Sequence, residues 1–145
     1  MQDGKFELTR GSHSVGECNF HLVFTIAYRR KAFKSQRVLE STREYICRKA
    51  DEMQISIAAM EFGPDHVHLF TTKCSEYSVK TLGHDLKGYT SKMMREHRYP
   101  WIRAWLWGKK FWTRGFFYRS VGSVTAEAVK FYINNAQKKH WTYTD

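Results

Sequence analysis

The sequence predicts an α+β domain, with helices packed on one face of an antiparallel sheet, and three observations predict it. Apolar spacing switches between periods of two and of three to four in the order strand, helix, strand, strand, helix, strand, helix. A strong turn signal, Gly63-Pro64-Asp65, joins two of the strands as a hairpin. No internal repeat and no low-complexity linker divides the 145 residues, so residues 1–145 are expected to form one domain with its own core.

Residues 1–16 contain Gly4, Gly11, Ser12, Ser14 and Gly16, lack a sustained period, and are expected to be a lead-in arm. The first strand is predicted in "CNFHLVFTIAYRR" (18–30), rich in Phe, Val, Ile, Thr and Tyr and closed by positive charge. An amphipathic helix over 35–53 follows from Val38, Leu39, Thr42, Tyr45, Ile46 and Lys49 at spacings of three and four, with Ser35 as N-cap. "QISIAAMEF" (54–62) and "HVHLFTT" (66–72) form the hairpin strands. A second helix over 78–98 is carried by Val79, Leu82, Leu86, Tyr89, Met93 and Met94, despite Gly83 and Gly88. "FWTRGFFYRSVG" (111–122) reads as the last strand. Thr125 then caps a helix over 126–140, with Glu127 early and Lys138 and Lys139 late, as the helix dipole favours.

Twenty-four Lys and Arg against 14 Asp and Glu give a formal charge of +10, spread along the chain. A polyanionic partner explains this better than a solvated basic surface without a ligand. Aromatic residues make up 16% of the chain, and Trp101, Trp105, Trp107, Phe111, Trp112, Phe116, Phe117 and Tyr118 lie among Lys109, Lys110, Arg114 and Arg119. Most such rings build a core, and the exposed minority are the ones available for stacking on unpaired bases. Cys18, Cys47 and Cys74 are odd in number and widely spaced, which argues against a disulfide framework or zinc ribbon. With no signal-peptide block and no stretch near the ~20 apolar residues of a bilayer span, no membrane association and a reducing, cytoplasmic setting are expected.

The stretch "EFGPDHVHLF" (61–70) asks for a chemical explanation. Alternate residues of a strand share a face, so His66 and His68 project together while Val67 and Leu69 point into the core. Two neutral imidazoles side by side hold one divalent metal and leave most coordination positions for a substrate oxygen. The competing reading is a pair of surface histidines on an open sheet face. Asp65 and Glu61 lie on the same hairpin, placed to orient a ligand or to add one.

"GPDHVHLF" resembles the His-hydrophobe-His motif of HUH endonucleases, and specifically that of the single-tyrosine transposases of insertion sequences that move as single-stranded DNA. "FHLVFTIAYRRKAF", "LKGYTSKMM", "WTRGFFYRSVG" and "VKFYINNAQ" are similar to further stretches of that family, in its order, and together they cover residues 20–137. The resemblance implies a ferredoxin-like, RRM-like HUH fold and a DNA transposase. In it Tyr132, on the helix over 125–140, attacks the scissile phosphate, forms a 5′-phosphotyrosine and releases a 3′-hydroxyl for later strand transfer. His66 and His68 would hold Mg²⁺ or Mn²⁺, the substrate would be single-stranded DNA with hairpins, and the working unit would be a homodimer whose sites are shared between subunits. Apart from the resemblance, Tyr132 reads as a helix residue packed on the sheet.

One position departs from the family. The metal-binding glutamine expected four residues after the tyrosine is Ala136 here, and Gln137 follows it. A regular helix turns Gln137 about 140° away from Tyr132, whereas a single-turn π-bulge restores a common face. Gln137 is taken as the third ligand, with Asn135 and Glu61 as alternatives. For DNA binding, Arg29, Arg30 and Lys31 at the end of the first strand, Lys87, Ser91 and Lys92 on one helix, and Arg114 are the candidates. Each is also an ordinary solvated patch when read alone.

Two rival functions share these features. A domesticated relative would process repeated chromosomal hairpins without mobilising its own gene. A non-catalytic RNA- or single-strand-binding module would use the sheet for base stacking but would have no chemical need for the histidine pair together with Tyr132.

Overall fold

The computed structural model describes residues 19–72, 74, 76–96 and 110–121. Strand β1 spans Asn19–Thr25, helix α1 Gln36–Met53, β2 Ser56–Phe62, β3 His66–Thr72, α2 Val79–Glu96 and β4 Phe117–Val121. The four strands form one antiparallel sheet in the order β2-β3-β1-β4. That order, with one helix in each crossover, is the β-α-β-β-α-β arrangement of ferredoxin-like domains. The expected α+β class is therefore observed. The lead-in arm and the helix expected over 125–140 lie outside the described residues, and so do Tyr132, Asn135 and Gln137.

Alternation along the strands sorts the sheet into two faces. Leu22, Phe24, Val67 and Leu69 are all fully buried and point to the side covered by α1 and α2. There they meet Val38, Leu39 and Ile46 of α1 and Leu82, Leu86 and Met94 of α2. His21, Val23, Thr25, His66, His68 and Phe70 follow the opposite parity and lie on the other face.

Each helix begins at a serine, and for α1 that is the cap the sequence suggests. The Ser35 hydroxyl accepts the Val38 amide at 3.3 Å and caps α1, and the Ser78 hydroxyl accepts the Thr81 amide at 3.1 Å at the start of α2. Gln54, left-handed at φ 62°, closes α1, and the Tyr77 hydroxyl donates to the Met53 carbonyl at 2.9 Å. The buried Thr90 hydroxyl donates to the Leu86 carbonyl at 2.8 Å and accepts the indole N–H of Trp112 at 2.8 Å. A threonine on the apolar side of α2 is thus what allows a tryptophan N–H into the core.

Two strands are shorter than expected. β1 stops at Thr25, because Tyr28 and Arg29 adopt left-handed conformations with φ 60° and 55° inside a tight 3-10 turn. Arg29, Arg30 and Lys31 consequently sit beyond the strand, in the turn and its exit. β4 starts only at Phe117. The neighbours Phe111 and Trp112 are both buried, which a regular strand with one open face does not allow, and Gly115 takes φ 75° before the strand begins. The β-rich composition of 111–116 reflects rings inserted into the core.

Candidate active site

β3 carries the histidine pair as its alternation requires: Val67 and Leu69 are sealed in the core, while His66 and His68 are half-buried on the open face with ring centroids 5.1 Å apart. His66 is held by its neighbour. Its Nδ1 lies 2.7 Å from Asp65 Oδ1, and the other carboxylate oxygen, Oδ2, accepts from Arg29 Nε at 3.0 Å. Burial by itself raises the Asp65 carboxyl, but hydrogen bonds from His66 and Arg29 outweigh it and leave the group below its ordinary value. An ionised carboxylate only accepts, so the ring proton of neutral His66 resides on Nδ1 and its Nε2 lone pair remains for a ligand. The left-handed turn at Tyr28 and Arg29 has a purpose in this arrangement, since it presents Arg29 to Asp65.

His68 is held differently, and by a residue that sequence reasoning passes over. His21 of β1 places its Nε2 2.9 Å from His68 Nδ1. The two are diagonal neighbours: His21 pairs with Phe70, and His68 pairs with Val23. His21 is 4% exposed, stacks on Phe70 at 4.5 Å and on His68 at 5.1 Å, and meets the edge of Phe117 at 6.1 Å. Desolvation, and secondarily the positive charge of Arg119, lowers its pKa to about 4. Desolvation likewise lowers His68 to about 4, with the neighbouring His66 and His21 adding to the effect. Both rings are therefore neutral at neutral pH, which is the form that binds metals. The signal that points to His21 is parity: in "FHLVFT" the apolar residues Phe20, Leu22 and Phe24 mark one face, so His21 belongs to the other.

The donor set fits a divalent metal. Two imidazoles share a face, and each Nδ1 already has a partner. Among the described residues no group of three or more His, Cys, Asp or Glu side chains completes a ligand set. Glu61 pairs with His68 across the β2–β3 ladder, which keeps it beside the site.

The expected DNA-contacting residues divide. Lys31, Lys92 and Arg114 are exposed, and Arg30 and Ser91 are partly exposed, with Ser91 accepting from Arg95 at 3.3 Å. Arg29 is 75% exposed while bound to Asp65. Lys87 is already occupied, because its ammonium donates to the Thr113 carbonyl at 2.7 Å and to the Gly115 carbonyl, and burial lowers its pKa. It ties α2 to the segment that leads into β4. Beside it, His84, Gly88, Ser91, Trp112 and Phe116 help to line a cleft of about 300 Å³. Phe117 and Tyr118 are the exposed rings of β4, at 55% and 46%. No helix of the described residues is long and apolar enough to cross a membrane.

Comparison with known proteins agrees with this architecture. The chain is 24% identical over 133 residues to the ISDra2 transposase TnpA of Deinococcus radiodurans, covering 92% of this chain and 94% of that protein. It is 29% identical over 118 residues to the transposase for insertion sequence element IS200 of Salmonella typhimurium, covering 80% and 75%. Among solved structures, a transposase from Deinococcus radiodurans superposes with a TM-score of 0.67 at 22% identity, over 88% of this chain and 96% of that one. A REP-associated tyrosine transposase bound to a REP hairpin superposes with a TM-score of 0.58 at 15% identity, over 89% and 72%. The family model described as "Transposase IS200 like" matches residues 14–136, and the chain belongs to that family of transposases.

Proposed function

We propose that this chain cleaves single-stranded DNA at hairpin-marked element ends and transfers the strand through a 5′-phosphotyrosine on Tyr132. The observation that carries the reading is the pair of imidazoles on the open sheet face, each with its Nδ1 engaged. Membership of a transposase family supports the reaction class, and a hairpin bound by a relative of the same fold supports the form of the substrate. His66 and His68 would hold Mg²⁺ or Mn²⁺, with Gln137 as the third protein ligand and Asn135 or Glu61 as alternatives. A divalent ion bound there supplies charge neutralisation and polarisation at the scissile phosphate.

The chain's own groups supply the rest. The Tyr132 phenolate oxygen attacks phosphorus, the phosphotyrosine bond forms as the bond to the 3′-oxygen breaks, and the released 3′-oxygen takes up a proton. The bond energy kept in the phosphotyrosine is recovered when another 3′-hydroxyl attacks it. Arg29, Arg30, Lys31, Ser91, Lys92 and Arg114 meet backbone phosphates, while Lys87 sets the segment that bears Arg114. Phe117, which pairs with Val23 on the open face, presents a ring on which an unpaired base stacks.

Incubating the protein with hairpin-bearing single-stranded DNA and Mn²⁺ should give an adduct that survives denaturation, and Tyr132→Phe should abolish it. An adduct that persists in Tyr132→Phe would place the nucleophile elsewhere. The homodimer with shared sites is tested by mixing a His66→Ala, His68→Ala protein with a Tyr132→Phe protein. Cleavage returns if the tyrosine of one subunit serves the histidines of the other, and stays absent in verified mixed dimers if each subunit is self-contained.

A further inference from the structure

We propose that His21 is a positioning residue: its imidazole accepts the Nδ1–H of His68 and so leaves the Nε2 lone pair of His68 for the metal, as Asp65 does for His66. The role rests on the metal-dependent reaction proposed above.

The Nε2···Nδ1 contact of 2.9 Å holds one proton between two rings, and only two arrangements are open to a neutral pair. If His21 donates, the proton of His68 lies on Nε2 and that ring has no lone pair to give a cation. If His68 donates, its Nε2 is unprotonated. Metal binding requires the second arrangement, in which His21 carries its own proton on Nδ1.

The surroundings explain why the partner is a histidine. A carboxylate on Asp65 is served by the Arg29 guanidinium at 3.0 Å. A carboxylate at position 21 would bring a charge between the rings of Phe70, His68 and Phe117, with the exposed Arg119 of β4 as its counter-charge. Imidazole provides an acceptor without bringing a charge into that enclosure, and its ring stacks on Phe70 where an amide would pack less closely.

His21 is itself poorly placed to be a third ligand. Its Nε2 is spent on His68, and its Nδ1 is buried with no hydrogen-bond partner among the described residues. Arg119 stands directly opposite it on β4, so a cation at His21 would meet a guanidinium. The unpartnered Nδ1 also gives the site its weak point: the arrangement that frees His68 for metal leaves a buried N–H unsatisfied among those residues.

Two substitutions separate this role from a structural one. His21→Phe keeps a ring on Phe70 and removes the acceptor, whereas His21→Gln restores an acceptor oxygen without the ring. Mn²⁺ affinity, measured on the full chain without DNA by electron paramagnetic resonance, should fall about 10- to 100-fold in His21→Phe. In His21→Gln it should return close to the wild-type value. Melting in the presence of a chelator reports folding independently of metal. Nitrogen-15 spectra of the wild-type protein with Mg²⁺ should place the His68 proton on Nδ1, a readout that stands even where a variant fails to fold.

Wild-type affinity in His21→Phe, or a His68 proton found on Nε2 in the Mg²⁺ form, would overturn the role alone. Three coordinated nitrogens in the Mn²⁺ spectrum, falling to two in both variants, would overturn it by making His21 a ligand. Absence of Mn²⁺ binding by the wild type would overturn the metal reading, and the role of His21 with it.

Discussion

The two faces of the sheet are built from interleaved residues of the same strands, yet they answer to different physics. On the covered face Leu22, Phe24, Val67 and Leu69 are sealed under two helices, and what matters there is volume and the absence of polarity. On the open face His21 is hydrogen-bonded to His68 and Asp65 to His66, and there donors and acceptors must match. The lesson is that the covered face sets the register, and the open face inherits its geometry from it. A slip of one residue in the β1–β3 pairing would place histidines in the core and leucines at the site.

The strongest test of that division compares adjacent residues of β3. Replacing both His66 and His68 by alanine should reduce cleavage at least about a thousandfold, equivalent to roughly 4 kcal/mol of barrier. Hairpin affinity should stay within a few-fold and the melting temperature near wild type. Loss of binding as deep as the loss of cleavage would mean that the open face is structural after all. Leu69→Ala, one residue away on the other face, should cost about 2–5 kcal/mol in chemical denaturation through the cavity it opens. Its cleavage rate per folded molecule should be retained, and a selective loss of rate would show that the faces are not separable.

A third comparison lies within the basic residues of α2. Lys87→Met removes a charged donor from two carbonyls and should lower stability by about 1–3 kcal/mol. Lys92→Ala should leave stability alone and reduce the salt dependence of DNA binding by about one counterion. Equal effects of the two on the salt slope would place Lys87 on the DNA as well. The last comparison is between the two glycines of the same helix, and its smallest effect is at Gly88. Nothing lies within 4 Å of a Cβ added at Gly88, so Gly88→Ala should raise stability by about 0.5–1 kcal/mol in thermal melts. At Gly83 the added Cβ would sit 2.1 Å from the Phe116 ring, and Gly83→Ala should reverse the sign.

How much of the molecule is legible in the sequence depends on the range of the interaction. Period-two alternation around HVH is local, and by itself it assigns His66, His68, Val67 and Leu69 to their correct faces. The Gly63-Pro64-Asp65 turn is equally local, and it marks the hairpin. His21 escapes such reasoning because its partnership is diagonal across two strands 47 positions apart in the chain, a relation fixed only by register. The end of β1 escapes because Tyr28 and Arg29 take left-handed conformations that no glycine announces. Long-range contacts hold them there: the Ala27 amide donates to the Phe111 carbonyl at 2.9 Å, and Arg29 reaches Asp65. Composition misleads over 111–116 for a related reason, since buried aromatic residues look the same whether they line a strand or plug a core.

The notch at Gly83 also bears on how such a chain can drift. Phe116 is wedged there by Phe24 at 5.7 Å and Tyr118 at 5.7 Å, so the ring cannot simply step aside for a methyl group. Any lineage that gains a side chain at position 83 must first shrink the residue at 116, or pass through a poorly folded intermediate. The two positions are far apart along the chain, yet they should be inherited as a pair.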